Sequence, residues 1–224
     1  GATTCAPYDW PLLPPSILTQ PRRLTLVLSH ERKRMKLLRS CVSGFFAMGL
    51  LLLVLTTNVR VTAADDYEDL IKDLFQSVRN DDPDLIKQQL DKGADINFQG
   101  PGGQTPLMHA VLQGRYKAVK FLLEAGADTS IGEKDGFTPL HGAGFQGRAK
   151  IAKDLMDAGL DPMEFHARDG YLPMHRACWG REKRHAQTVK VFLQEGMSPT
   201  QPAKNGKTPM EMAANNPLTK RYLQ

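Results

Sequence analysis

Four lines of the chain repeat one another at a nearly fixed offset: GGQTPLMHAVLQG from Gly102, DGFTPLHGAGFQG from Asp135, DGYLPMHRACWG from Asp169 and NGKTPMEMAANN from Asn205. Their prolines, Pro106, Pro139, Pro173 and Pro209, lie 33, 34 and 36 residues apart. A second marker runs in step, because the glycine after each apolar pair falls at Gly93, Gly126, Gly159 and Gly196, spaced by 33, 33 and 37. Two markers in register mean stacked supersecondary units, each too small to bury its own apolar face. A length of 224 residues would otherwise allow one large domain or two small ones, and the period overrides that choice.

Each unit can be built from its residues. A turn ending in Gly136, Gly170 or Gly206 supplies positive φ, and Thr105, Thr138 or Thr208 then stands where a helix N-cap hydroxyl is wanted. Proline follows at the first helical position, where its missing N–H costs nothing. A short helix runs to Gly114 or Gly147 and reverses into a second helix with apolar residues at helical spacing, such as Ala118, Val119, Leu122 and Leu123. Gly126 or Gly159 ends that helix.

The TPLH-x-A string at this spacing resembles the ankyrin repeat signature, over about residues 67–224. The resemblance implies an all-α fold, an ankyrin-repeat solenoid of stacked helix-turn-helix units with short β-hairpin loops. The units expected are an N-terminal capping repeat over 65–100, repeats over 101–133, 134–167 and 168–203, and a partial C-terminal repeat over 204–224. The segment from Leu74 to Asn97 resembles the cap, lacking the TPLH string. Met108 and Glu211 depart from the pattern where His141 and His175 stand, and Leu172 replaces the capping threonine. The repeat headed by Leu172 is therefore expected to have the weakest helix start, and about three extra residues are expected in its turn GREKRHAQ. The last unit stops short of a full second helix and is expected to fray or to be truncated.

Ahead of the repeats the character changes. The first methionine is Met35, so residues 1–34 are expected to be an untranslated or fragmentary preface without structure. From Met35 the order is Lys36, Arg39, then an apolar run from Phe45 to Leu55, with Val61-Thr62-Ala63 following. That order over 35–64 reads as a secretory signal peptide cleaved to leave Ala64 or Asp65 first, the alternative being a type II signal anchor. Either would carry the repeats out of the cytosol, into the secretory lumen or outside the cell in the first case, as a single-pass membrane protein in the second.

Charge and cysteine usage narrow the partners. Residues 1–40 hold seven Lys and Arg against two acids, whereas residues 65–224 hold 21 bases against 22 acids, so the net +5 belongs to the N-terminal tail and no nucleic-acid partner is expected. With 41% hydrophobic and 24% charged residues the chain is not a collagen, a mucin or a disordered acidic tail. Cys5, Cys41 and Cys178 are too few and scattered for a disulfide framework.

Histidines invite a metal reading, above all His175-x-x-Cys178 followed by His185. Zinc needs three or four ligands in a closed geometry, and the resemblance already gives His141 and His175 the job of bonding neighbouring repeat loops and Cys178 that of a small core residue. No metal, cofactor or catalytic residue is expected. The sequence carries no G-x-S-x-G, no G-x-x-x-x-G-K-[ST] and no H-E-x-x-H, so no enzyme activity is expected either.

One constellation points to recognition. Two residues past the alanine of the motif stand Leu112, Phe145, Trp179 and Asn215, and just before the Thr-Pro stand Gln104, Phe137, Tyr171 and Lys207. In ankyrin repeats those positions resemble the end of the first helix and the hairpin finger, both facing the concave groove. Phe137, Phe145, Tyr171 and Trp179 are then expected to line up as an aromatic patch flanked by Lys134, Arg168 and Lys204, with Leu112 at its edge, unless some of them tuck into their own hairpins. What the resemblance implies is a monomeric, non-catalytic module binding a protein partner, or, with the anchor retained, a membrane-anchored scaffold or regulatory subunit holding an enzyme at a membrane.

Overall fold

The computed structural model describes residues 64–224, so the readings of residues 1–34 and of the leader up to residue 63 lie outside the described residues. The described residues fall into two units, divided between Lys72 and Asp73. In the first, residues 64–72 are helical, with Lys72 Nζ 3.1 Å from Glu68 and 3.3 Å from Asp69 one helical turn away.

The second unit is a stack of helix pairs. Residues 73–79 (α1) and α2 (Pro83–Asp91) form its first pair. Three pairs follow: α3 (Pro106–Gln113) with α4 (Tyr116–Glu124), α5 (Pro139–Gln146) with α6 (Ala149–Asp157), and α7 (Pro173–Trp179) with α8 (Lys183–Gln194). A short α9 (Pro209–Met212), a 3-10 turn over Ala213–Asn215 and α10 (Pro217–Leu223) complete it. First helices pack in one row, α3 on α5, α5 on α7 and α7 on α9, and second helices in another, α4 on α6, α6 on α8 and α8 on α10. The core lies between the rows, where Leu107, Leu122, Leu140, Leu155, Met174 and Phe192 are fully buried.

Every first helix from α3 on begins with proline, as the missing N–H allows, but the residue before it works differently in each. Thr105 Oγ1 accepts from the Met108 N–H at 3.2 Å, an ordinary N-cap. Thr138 turns its hydroxyl to His141 Nδ1, 2.8 Å away. Leu172 makes no such bond, as the sequence led one to expect. Thr208 forms a capping box with Glu211, which accounts for the acid in the histidine's place.

The extra residues of the 168–203 repeat do not simply widen its turn. α8 has 12 residues against nine in α4 and α6, so the insertion is mostly one additional helical turn. Counted back from Gly196, Phe192, Val189 and Thr188 occupy the buried positions that Leu155, Ala152 and Ile151 hold before Gly159. An insertion near 3.6 residues keeps the buried stripe in phase and adds His185 and Ala186 to it. At the other end of the turn Gly180 is extended (φ −72, ψ 149), unlike the left-handed Gly114 and Gly147. The last unit also has more structure than a fraying end, since α10 buries Thr219 and Leu223.

Side chains join each pair to the next. Arg148 Nη2 donates to the Leu112 carbonyl at 3.5 Å, His185 Nε2 to the Phe145 carbonyl at 3.1 Å and Asn216 Nδ2 to the Gly180 carbonyl at 2.8 Å. All three carbonyls lie at the end of a first helix, where no intrahelical donor remains. In the other direction Asp81 accepts from the Ala118 N–H at 2.8 Å.

Candidate protein-binding face

The face is built from the ends of the first helices and from the loops that precede them. Each loop is closed by a backbone bond: Gly100 N to Gln104 O at 3.0 Å, Glu133 N to Phe137 O at 3.1 Å, His166 N to Tyr171 O at 2.9 Å and Ala203 N to Lys207 O at 2.8 Å. These are hairpin turns without strand ladders among the described residues. Neighbouring fingers bond in turn, Lys134 N to Gly102 O at 3.2 Å and Lys204 N to Gly170 O at 3.0 Å. Gly170 holds φ 68, and a Cβ there would lie 2.5 Å from that of Lys204, so both the turn and the spacing of the fingers require glycine.

The four aromatics separate into two kinds. Phe145 and Trp179, at the ends of α5 and α7, are 54% and 55% exposed. Phe137 and Tyr171, on the fingers, are half-buried. Phe137 stacks on His166 with ring centroids 4.0 Å apart and planes within 6°, and Tyr171 lies 5.9 Å from the His175 ring. Thus the finger aromatics are partly local packing, while the helix-end aromatics project. Leu112 is half-buried, its Cδ2 filling the space in front of Gly142. Lys134 and Arg168 are exposed, and Arg168 pairs with Asp135 of the preceding finger at 2.7 Å.

What joins Phe137, Tyr171 and Trp179 is Arg176, a residue that the sequence reading passed over. Its guanidinium carbon lies 4.7 Å from the Phe137 ring centre, 5.2 Å from that of Tyr171 and 5.9 Å from that of Trp179. Arg176 is only 5% exposed and is ion-paired with Asp169. Asp169 also accepts from His166 Nδ1 at 2.8 Å and from the Tyr171 N–H at 3.2 Å. Burial alone would raise the Asp169 carboxyl, but the bonds from His166, Tyr171 and Arg176 outweigh it and hold the group below the usual carboxylate range. The variable position inside TPLH-x-A thus holds the centre of the cluster. The available signal was that x faces the same side as the helix-end aromatics one turn later.

The residues considered for metal or nucleophile chemistry are placed apart by their partners. His175 Nε2 donates to the Lys207 carbonyl at 3.1 Å and His141 Nε2 to the Tyr171 carbonyl at 3.2 Å, so both bond the next finger. His185 bonds Phe145 O, and Cys178 is a buried thiol pushed up to about 12 by that burial. A thiol so raised is protonated at neutral pH and a poor nucleophile. Burial likewise lowers His141 to about 4 and His109 to about 4, so both rings are neutral packing elements.

A stack of helix pairs with fingers and a projecting aromatic face defines a repeat module. Residues 74–166 match the family model of ankyrin repeats in three copies, and this part of the chain is an ankyrin repeat domain. The same pairing continues through α10. Over 68 residues the chain is 41% identical to the human 2-5A-dependent ribonuclease, a stretch that covers 30% of this chain and 9% of that protein. Ankyrin repeats are in general protein-protein interaction modules.

Proposed function

We propose that residues 64–224 form a non-catalytic module that binds a protein partner through the first-helix and finger face, with Trp179 and Phe145 as projecting anchors. The observation that carries this reading is the exposure of two large aromatics at equivalent ends of adjacent helices, one of them, Trp179, lying over a buried Arg176. Exposed apolar patches rimmed by polar residues mark interaction sites, and Trp, Tyr and Arg are the residues from which interface hot spots are made. The ribonuclease likeness covers too little of that enzyme to lend its activity to this chain. From the leader reading of residues 35–64, the module works in the secretory lumen or outside the cell.

Two measurements test the two halves of the reading. For a partner identified by pull-down, Trp179→Ala and Phe145→Ala are expected to weaken binding by at least ~2 kcal/mol, roughly thirtyfold, and Lys117→Ala to leave it unchanged. Full affinity in both folded aromatic variants would overturn the face assignment. N-terminal sequencing of the protein made in a eukaryotic host is expected to begin at Ala64 or Asp65, and a retained Phe45–Leu55 run in the membrane fraction would overturn the location.

A further inference from the structure

We infer that the partner segment received by this face is acidic, carrying Asp or Glu side chains beside an apolar residue that sits against Trp179. The inference rests on the binding role proposed above and adds the chemistry of the partner. Residues 65–224 hold 21 bases and 22 acids, so any positive field on this face is local and not a property of the domain.

Locally most of the acids are engaged, Glu164 on the loop before His166 being the exception. Glu133 accepts from Gln104 Nε2 at 3.1 Å, Asp135 pairs with Arg168, Asp169 serves Arg176 and His166, and Glu211 closes the Thr208 cap. The cations are not matched in the same way. Among the described residues Lys134, Lys204 and Lys207 have no carboxylate partner, and Lys204 stands over the Phe165 ring instead, 5.2 Å from its centre. Arg176 makes a single hydrogen-bonded contact, to a carboxylate shared with two other donors, and its Nε is buried without a partner.

The residues after Trp179 add to this excess. Gly180 ends α7 in an extended conformation, and the next residues before and within the first turn of α8, Arg181 and Lys183, are exposed and unpaired. The aromatic anchor is therefore followed in sequence by two unmatched cations, with Glu182 between them turned to Arg184, and it lies over Arg176, whose charge Asp169 already pairs. A carboxylate arriving there gains from the two exposed cations, whereas a basic segment would meet like charge next to the one apolar contact that could hold it. A polyanion such as RNA would need a long basic track, and the near-neutral domain offers none.

The test uses the full chain and a phage-displayed library of random dodecapeptides. Enriched peptides are expected to carry Asp or Glu within a few positions of an aromatic or aliphatic residue. A labelled peptide from that pool should lose at least tenfold in affinity with Arg181→Glu combined with Lys183→Glu, two exposed positions, and equally when its own acids become amides. Lys87→Glu combined with Lys117→Glu should change it less than twofold. Enrichment of neutral or basic peptides, indifference to the Arg181/Lys183 reversal in a folded protein, or displacement of the peptide by a tighter-binding single-stranded oligonucleotide would each overturn the inference. If neutral peptides are selected and Trp179→Ala abolishes their binding, the face reading stands and only the acidic chemistry falls. Acidic peptides that bind Trp179→Ala and Phe145→Ala unchanged would remove both.

Discussion

Leu172 leaves His175 Nδ1 buried without a hydrogen-bond partner, in the place where Thr138 gives the equivalent nitrogen of His141 a hydroxyl at 2.8 Å. The pair shows what the threonine of the TPLH string contributes beyond capping, since both rings use Nε2 to hold the next finger. Thr138→Val keeps the shape and removes the hydroxyl, giving His141 the same orphaned acceptor. It is expected to destabilise the folded chain by about 1–3 kcal/mol, read as a shift in the urea midpoint with an unchanged slope. No shift would mean that the hydroxyl contributes nothing.

Gly180 provides a steric test free of backbone strain, because its φ of −72 suits any residue. A Cβ there would lie 2.0 Å from His185 Cδ2. Gly180→Ala is therefore expected to push the His185 ring off the Phe145 carbonyl and cost about 2 kcal/mol or more. In a His185→Ala background the added cost should largely vanish. Additive effects in that double-mutant cycle would disprove the coupling.

Acid should weaken the fold in a defined window. His141 is lowered from 6.5 to about 4, chiefly by burial, with His166 and Arg176 opposing its charge while the Tyr171 carbonyl and Asp169 favour it. Above its unfolded value both states are neutral and stability is flat. Between 6.5 and about 4 the unfolded chain takes a proton that the folded chain refuses, so stability falls as pH falls, and His109 behaves alike. Asp169 acts at lower pH: its contribution is intact above the ordinary value of 3.8 and is lost as pH drops through its depressed folded value. Urea midpoints at pH 7, 5.5 and 4.5 are expected to decline in that order. A midpoint unchanged from pH 7 to 4.5 would contradict the burial of neutral rings.

Asn216 is expected to control the C-terminal pair. Its Oδ1 accepts from the Thr219 N–H at 3.1 Å while Nδ2 donates to the Gly180 carbonyl, with the residue only 2% exposed. Asn216→Ala removes a cap and a tie to the turn between α7 and α8, costing about 1–2 kcal/mol. Amide exchange over residues 217–223 should accelerate, and it should be faster than over α5 even in the unaltered chain. Slowest exchange at that end would refute this.

The period of Pro106, Pro139 and Pro173 made the stack of helix pairs legible, because stacking demands the same local chemistry once per unit. The lengthened α8 was less so. In the sequence Gly180 reads as a turn marker and the extra residues after it as a wider turn, although a gain close to one helical turn is what preserves a buried stripe. Phe145 and Trp179 stand at the predicted helix ends, but sequence spacing could not divide the exposed pair from the half-buried Phe137 and Tyr171. That division depends on His166 and His175 from the same fingers and helices. Arg176 was hidden for a similar reason: a charged residue at a variable position reads as solvated, and only the convergence of three rings and Asp169 buries it.

The carbonyls of Leu112, Phe145 and Gly180 are each met by a donor that arrives 36, 40 or 36 residues later in the chain. Synthesis therefore delivers α3, α5 and α7 unfinished and completes each when the following pair emerges. The same arrow governs damage. A nick or premature stop within the stack removes more than the missing pair, for it also strips the last surviving helix of its closing bond and exposes that end to water, whereas loss from the N-terminal side leaves these three bonds intact until their own repeats are reached.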